Sequence, residues 1–356
     1  MLSGLTRHQM EDFLETHGSK KVHAKAMMRF FYKENGGLWE DTPLLPKNLR
    51  NLLAHTPKSP SIRERLPSEE SKFDGSIKFL LKLEDHKTVE AVLMPESRRL
   101  TLCISSQVGC RQACSFCHTG RMGLTRNLTA SEIVGQIVEI NDWIEKNPEW
   151  LKKKGFQSYQ RITNIVFMGM GEPLDNVDAV ILAIRIMTDP YGLSLPLRKI
   201  SVSTAGHLDG LKKLHSQLPL VPVAFSLHCV DDRKRSALMP INRKYPLKEV
   251  LSYLENHRAK YEKNWRPFIQ FTMIKGVNDD LDTCQKLIEL TKALEPKINL
   301  IPLNKIAPST LEPPTRKALF AFQDKIHKAG IRVMVRISKG QDIAGACGQL
   351  VTESRK

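Results

Sequence analysis

The sequence predicts an α/β protein: an open, partial (β/α)6 barrel preceded by a small helical N-terminal domain and a β-hairpin extension. Three observations carry this. Helical periodicity fills the first 60 or so residues. A period-two apolar pattern comes next, at residues 71–97. Beyond it, short β-branched runs alternate six times with amphipathic segments, the pattern of a parallel sheet.

In chain order, Met10, Phe13 and Leu14 share one helical face, as do Met27, Phe30 and Phe31, and Pro43, Pro46 and Pro57 punctuate the rest of the segment. This segment is rich in Lys20, Lys21, Lys25, Arg29 and Lys33 and reads as an accessory domain over residues 1–65. SIKFLLKLEDHKTVEAVLMPE alternates around a polar turn at Glu84–Lys87, giving a hairpin within residues 66–98. The expected barrel strands are Leu100–Ser105, Ile162–Met168, Lys199–Ser203, Val221–Leu227, Phe268–Ile274 and Ile298–Pro302. Ala130–Lys146, Val177–Met187 and Leu247–Lys260 read as helices between them, and Lys152–Lys154 with Gly155 as a charged surface loop. A seventh apolar run, Ile331–Ile337, leads out of a core assigned to residues 99–340, and a glycine-rich tail occupies 341–356. Six units are too few to close an eight-fold barrel. The open side suits a large substrate, and ligands are expected at the C-terminal strand ends.

Composition narrows the function classes. Lys and Arg number 54 against 38 Asp and Glu, a formal net charge of +16 that favours a polyanionic partner, nucleic acid before membrane. No run approaches the ~18 apolar residues of a membrane span. The N-terminus lacks the apolar stretch of a signal peptide, so a cytoplasmic setting is expected. Seven cysteines without a framework agree with a reducing compartment, and no feature calls for more than a monomer.

CRQACSFC places Cys110, Cys114 and Cys117 at C-x3-C-x2-C spacing, just after the first barrel strand. Three thiolates can hold a [4Fe–4S] cluster and leave one iron open for a small molecule. The alternative is a zinc site that recruits His118 as its fourth ligand, which would make the chain a non-enzymatic, zinc-dependent RNA-binding module. Gly169-Met170-Gly171-Glu172-Pro173 comes after the second strand, where glycines admit a ligand close to the backbone and Glu172 can accept from an amino group. Ser203, Ser226, Leu227, His228 and Asn304 lie at further strand ends, placed to bind a nucleoside. Cys347, in GQDIAGACGQL, sits where glycines leave the tail free to swing a thiol over the barrel mouth, and Cys103 lies on the first strand.

CISSQVGCRQACSFCHTGRMGLTRNL, GMGEPL, ISVSTAG, SLH and DIAGACGQL together resemble the radical S-adenosylmethionine (radical SAM) RNA adenine methyltransferases of the RlmN/Cfr family, over nearly the whole chain. The resemblance implies a radical SAM barrel. It implies a [4Fe–4S] cluster on Cys110, Cys114 and Cys117 whose open iron takes SAM, with Gly171 and Glu172 at the SAM amino group and Ser203, Ser226, Leu227, His228 and Asn304 around the rest of SAM. Cys347 becomes a methyl carrier that passes its carbon to an adenine through a protein–RNA thioether. Cys103 resolves that adduct as a disulfide with Cys347 forms, and Glu90 is the proton acceptor. The implied substrate is adenosine in 23S rRNA, with tRNA beside the anticodon as a second, and an electron donor such as flavodoxin is required. VGC before the cluster resembles the C2-methylating branch more than the C8-methylating, Cfr-like branch.

Overall fold

The computed structural model describes residues 2–33, 45–53, 61–157 and 160–351. Pro43, Pro57 and the last five residues of the tail lie outside the described residues. The chain opens with α1 (Arg7–Thr16), α2 (His23–Tyr32) and α3 (Lys47–Leu53). Thr6 and Gln9 form a reciprocal cap at the start of α1, which satisfies main-chain donors that a helix start leaves open. Met10, Leu14, Met27, Phe30 and Phe31 of the two predicted stripes are buried, and Phe13 is half-buried against them.

Five strands come next: β1 (Ile62–Arg65), β2 (Glu69–Glu70), β3 (Ile77–Leu83), β4 (Thr88–Glu96) and β5 (Arg99–Cys103). β3 and β4 form the expected antiparallel hairpin, and β4 pairs antiparallel with β5. β6 (Gln107–Cys110) and β7 (Gly123–Asn127) make a separate small ribbon that carries the cysteine loop, with the short α4 (His118–Arg121) inside it. The sheet then continues in parallel through β8 (Asn164–Phe167), β9 (Ile200–Thr204), β10 (Val223–Ser226), β11 (Phe268–Met273) and β12 (Lys297–Pro302). All six expected strands are present, displaced by no more than two residues at either end. The seventh apolar run adds β13 (Arg332–Val335), parallel to β12. The strand path starts at β1 and ends at β13 without closing.

The outer layer is α5 (Ala130–Lys146), α6 (Pro148–Lys153), α7 (Val177–Thr188), α8 (Leu208–Gln217), α9 (Asp232–Leu238), α10 (Leu247–Tyr261), α11 (Leu281–Thr291) and α12 (Arg316–Lys328). In α5, Ile133, Ile137, Ile140 and Ile144 are buried at helical spacing against the sheet, and Thr129 with Glu132 caps its start. Lys152 and Lys153 are not in a loop. They end α6, which Pro148 starts at the first helical position, where its missing N–H costs nothing. The N-terminal helices lean on this layer: Ser3 Oγ lies 2.6 Å from Ser131 Oγ, and Arg7 pairs with Asp189 at 3.0 Å.

Candidate active site

The C-terminal ends of β8 to β12 and the cysteine loop surround a cleft of about 960 Å³, its open mouth included. Cys110, Cys114 and Cys117 line it, together with Gly171, Glu172, Ser203, Ser226, His228, Asn304 and Cys347. Leu227, Cys103 and Glu90 do not. Side chains alternate along a strand, so Leu227 turns into the core between Ser226 and His228. Its contribution to the cleft is through the main chain, where its carbonyl accepts from Arg235.

The cysteine loop is fastened to its surroundings at two points and closed by a bond of its own. Ser115 N–H donates to Leu238 O at 2.9 Å, Gln112 Nε2 donates to Asp175 Oδ2 at 2.7 Å, and Cys117 N–H donates to Cys114 O at 3.1 Å. Burial pushes the Cys110 thiol up to about 12 and raises Cys114 and Cys117 as well. Thiols in such a setting ionise only when a metal supplies the positive charge. Among the described residues no three His, Cys, Asp or Glu side chains converge on one point as a single ion requires. Three spaced thiols around a cleft suit a cluster, in which each binds its own iron. His118, the fourth ligand of the zinc alternative, has its Nε2 2.8 Å from Ala307 O instead.

GMGEP needs its glycines. Gly171 has φ +99, and a Cβ there would sit 2.6 Å from the Gln107 side chain. A Cβ on Gly169 would lie 2.7 Å from the Ile104 main chain. Glu172 is aimed by the N–H groups of Ala205 (2.8 Å) and Leu174 (3.1 Å) on its two oxygens, and Gln107 Oε1 accepts its own N–H at 2.8 Å. Burial outweighs those donors and lifts its carboxyl to about 7. His228, with φ +55, accepts Thr272 N–H on Nδ1 at 2.9 Å. That bond leaves the proton on Nε2, and burial first, then Arg235, lowers the ring to about 3, so it is neutral. Its ring stands edge-on to Phe116, with centroids 5.2 Å apart.

The tail is seated, not free. Asn304 Nδ2 donates to Cys347 O at 3.0 Å, His118 N–H to Gly348 O at 2.7 Å, and Thr119 Oγ1 to Leu350 O at 2.7 Å. Val351 N–H ends the run on Glu90 Oε2 at 2.9 Å. Lys78 Nζ is 3.3 Å from the other Glu90 oxygen. Burial raises the Glu90 carboxyl, and Lys78 and the Val351 N–H oppose that rise. Cys103 is cross-strand from Val92, two residues from Glu90, so Cys103 and Glu90 share one face of the sheet. Burial, then the neighbouring Cys347, pushes the Cys103 thiol up. Cys347 is exposed, but into the cleft, where the surrounding protein raises its thiol while Arg336 pulls it back. The disulfide expected of Cys103 and Cys347 is not formed: all seven cysteines are free. In the expected scheme that bond exists only at the end of a turnover.

Two residues escaped the sequence reading. Arg336 comes directly after β13, and its positive charge draws the Cys347 thiol down. Arg235, in α9, has no exposed surface and spans the ends of β9 and β10. Its only sequence signal is its helical register with Leu238, the other buried residue of that charged helix.

Comparison with known proteins bears on this site. A family profile described as the radical SAM superfamily matches residues 104–288. The chain is 38% identical over 352 residues to the dual-specificity RNA methyltransferase RlmN of Desulfotalea psychrophila, covering 99% of this chain and 95% of that protein. It is 39% identical over 351 residues to the protein so described in Pelobacter propionicus, covering 98% and 95%. A radical SAM methyltransferase structure from Sphaerobacter thermophilus superposes with a TM-score of 0.88 at 35% identity, over 99% of both chains.

Proposed function

The chain belongs to the radical SAM superfamily and, within it, to the RlmN family of SAM-dependent RNA methyltransferases, and from that premise we propose that it methylates C2 of adenosine in 23S rRNA and in tRNA through S-methylated Cys347. The observation that carries this reading is the position of Cys347. Its thiol opens into the cleft that the three cluster cysteines line, while Cys103 and Glu90 sit together behind the tail. The relatives' description as dual-specificity enzymes supports two RNA substrates.

When bound, the cluster and SAM supply a methyl group and a 5′-deoxyadenosyl radical. Cys110, Cys114 and Cys117 hold the cluster, and Gly171 and Glu172 receive the SAM amino group. Ser203, Ser226, His228 and Asn304 flank the nucleoside and carboxylate, and Leu227 fixes the strand end between them. Cys347 takes up the methyl group and presents its carbon to the adenine ring. Adenine C2 is electron-poor, so a sulfur-borne carbon radical succeeds where nucleophilic attack on SAM would not. Glu90 accepts the proton displaced from that carbon once Val351 releases its carboxylate. Cys103, as thiolate, then attacks the sulfur of Cys347: the S–S bond forms as the S–C bond to the adduct breaks, and the released carbon takes a proton to become the methyl group of the RNA, at a rate set by thiolate formation and access.

The basic segment 1–65 contacts RNA, the hairpin of 66–98 carries Glu90, residues 99–340 form the catalytic core, and 341–356 is the carrier tail. The enzyme acts as a cytoplasmic monomer that draws electrons from a donor such as flavodoxin. The test is mass spectrometry of nucleosides from a strain lacking the gene. Loss of 2-methyladenosine, restored by the intact gene and not by a Cys347→Ala copy, is the expected result. Loss of 8-methyladenosine instead, or rescue by Cys347→Ala, would overturn the reading.

A further inference from the structure

One aromatic ring stands almost free of the protein. Phe73, between β2 and β3, is 86% exposed, more than any other large apolar side chain among the described residues. Burial cannot account for a phenylalanine there, since nearly all of its apolar surface stays in water. The backbone beneath it is nonetheless fixed. Ser71 Oγ accepts the N–H groups of Phe73 and Asp74, both at 3.2 Å, and Ser71 N–H donates to Ser76 O at 2.7 Å. Asp74 Oδ1 accepts Ser76 N–H at 2.8 Å.

That rigid turn is tied to the segment that carries Cys347. Gly340 N–H donates to Asp74 Oδ2 at 2.8 Å, and Lys72 N–H donates to Asp342 Oδ2 at 2.9 Å. The bonds continue into the cleft. Gln341 Nε2 reaches Asn304 Oδ1 at 3.3 Å, and Asn304 Nδ2 donates to Ser338 Oγ at 2.9 Å and to Cys347 O at 3.0 Å. Phe73 thus projects from the frame that positions the carrier thiol. Lys72 beside it is exposed, whereas Lys339, beyond the contact, is engaged by Pro95 O at 2.8 Å and Glu96 at 3.8 Å.

We propose that Phe73 stacks on an RNA base next to the methylated adenosine. An adenine that reaches a thiol inside the cleft must leave its own stack, and the neighbouring base then loses a partner for its π-face. A ring carried on a fixed backbone beside the carrier tail replaces that partner at the cost of ordering one short side chain, and the exposed Lys72 meets the phosphate. RNA is favoured over a protein partner because the ring is single, has the exposed Lys72 beside it and stands on a turn bonded to the catalytic tail. The inference rests on the RNA-methylating reading of the preceding section.

The test uses the full-length, cluster-loaded enzyme and an RNA hairpin bearing 2-aminopurine beside the target adenosine. Fluorescence reports stacking, and RNA KM, kcat and RNA-free methylation of Cys347 are measured on the same preparations. Phe73→Ala is expected to raise KM for RNA at least about five-fold, the low end of one lost base–aromatic stack. It should also abolish the quenching of 2-aminopurine and leave kcat and Cys347 methylation unchanged. Phe73→Trp should retain wild-type KM. Unchanged KM and quenching in Phe73→Ala overturn the proposal, as does full rescue by Phe73→Leu, which restores apolar contact without a ring. An intact enzyme that methylates Cys347 but no RNA would instead sink the functional reading itself.

Discussion

Replacing Arg235 with methionine should destabilise the protein by about 3 kcal/mol, through acceptors left without donors more than through lost volume. The guanidinium has no exposed surface and no carboxylate partner within salt-bridge distance among the described residues. Nε donates to Leu227 O at 2.9 Å, Nη2 donates to Ala205 O at 2.8 Å and Ser226 O at 3.0 Å, and Nη1 donates to Asn242 Oδ1. Burial lowers its pKa to about 10, so it stays charged at neutral pH. Methionine approximates its length, which keeps the cavity small. The carbonyls of Ala205 and Ser226 and the Asn242 amide oxygen then lose the guanidinium donor, at about 1–3 kcal/mol each, while Leu227 O keeps the Cys229 N–H at 2.7 Å. Relief from burying an ion returns several kcal/mol, and the net figure matches the low end of what breaking a buried charged network costs, about 3–5 kcal/mol. Arg235→Lys keeps the charge but reaches fewer acceptors and should fall in between. Urea unfolding at pH 7, monitored by far-ultraviolet circular dichroism, reads the change as a shift in midpoint at constant m-value. A loss below about 1 kcal/mol in Arg235→Met would refute the reasoning, because the carbonyls would then have found other donors.

Two further outcomes concern titratable groups. His215 and His257 stack at 3.7 Å in the buried cluster of α8, α10 and Trp265, and burial, then His257, lowers His215 to about 3. A depressed histidine stabilises the fold above its unfolded pKa, so stability should fall as pH drops below about 6.5, by up to about 1.4 kcal/mol per pH unit for His215. Urea midpoints at pH 7 and pH 5 measure this, and His215→Phe, which keeps the stack, should flatten the difference. Lys78→Met removes the cation that opposes the burial of Glu90, so the carboxyl should rise further and the acid limb of the single-turnover pH–rate profile should move to higher pH. An unmoved limb would separate Glu90 from proton transfer.

The parallel strands and α5 were legible because their apolar periods are long and unbroken: Ala130–Lys146 is the helix the pattern marks. The cluster cysteines and GMGEP were legible because their chemistry lies in consecutive residues. Leu227 shows where a linear reading ran together what a strand separates, since period-two alternation already turns it away from Ser226 and His228. Lys152 and Lys153 looked like loop because a helix of 6 residues is too short for periodicity, and only Pro148 marked its start. Arg235 and the Val351–Glu90 bond were not legible. Each depends on contacts between segments far apart in sequence or on burial of a residue type that is ordinarily exposed. The tail was read as loose from its glycines, yet donors from His118, Thr119 and Asn304 hold it on its carbonyls.

The most direct test of the carrier account is peptide mass spectrometry on the Cys103→Ala enzyme, loaded with its cluster and given RNA and SAM with a deuterated methyl group. With the resolving thiol gone, Cys347 should be recovered joined to adenosine through one labelled carbon. Labelled methyladenosine released in normal yield, with Cys347 unmodified, would contradict it.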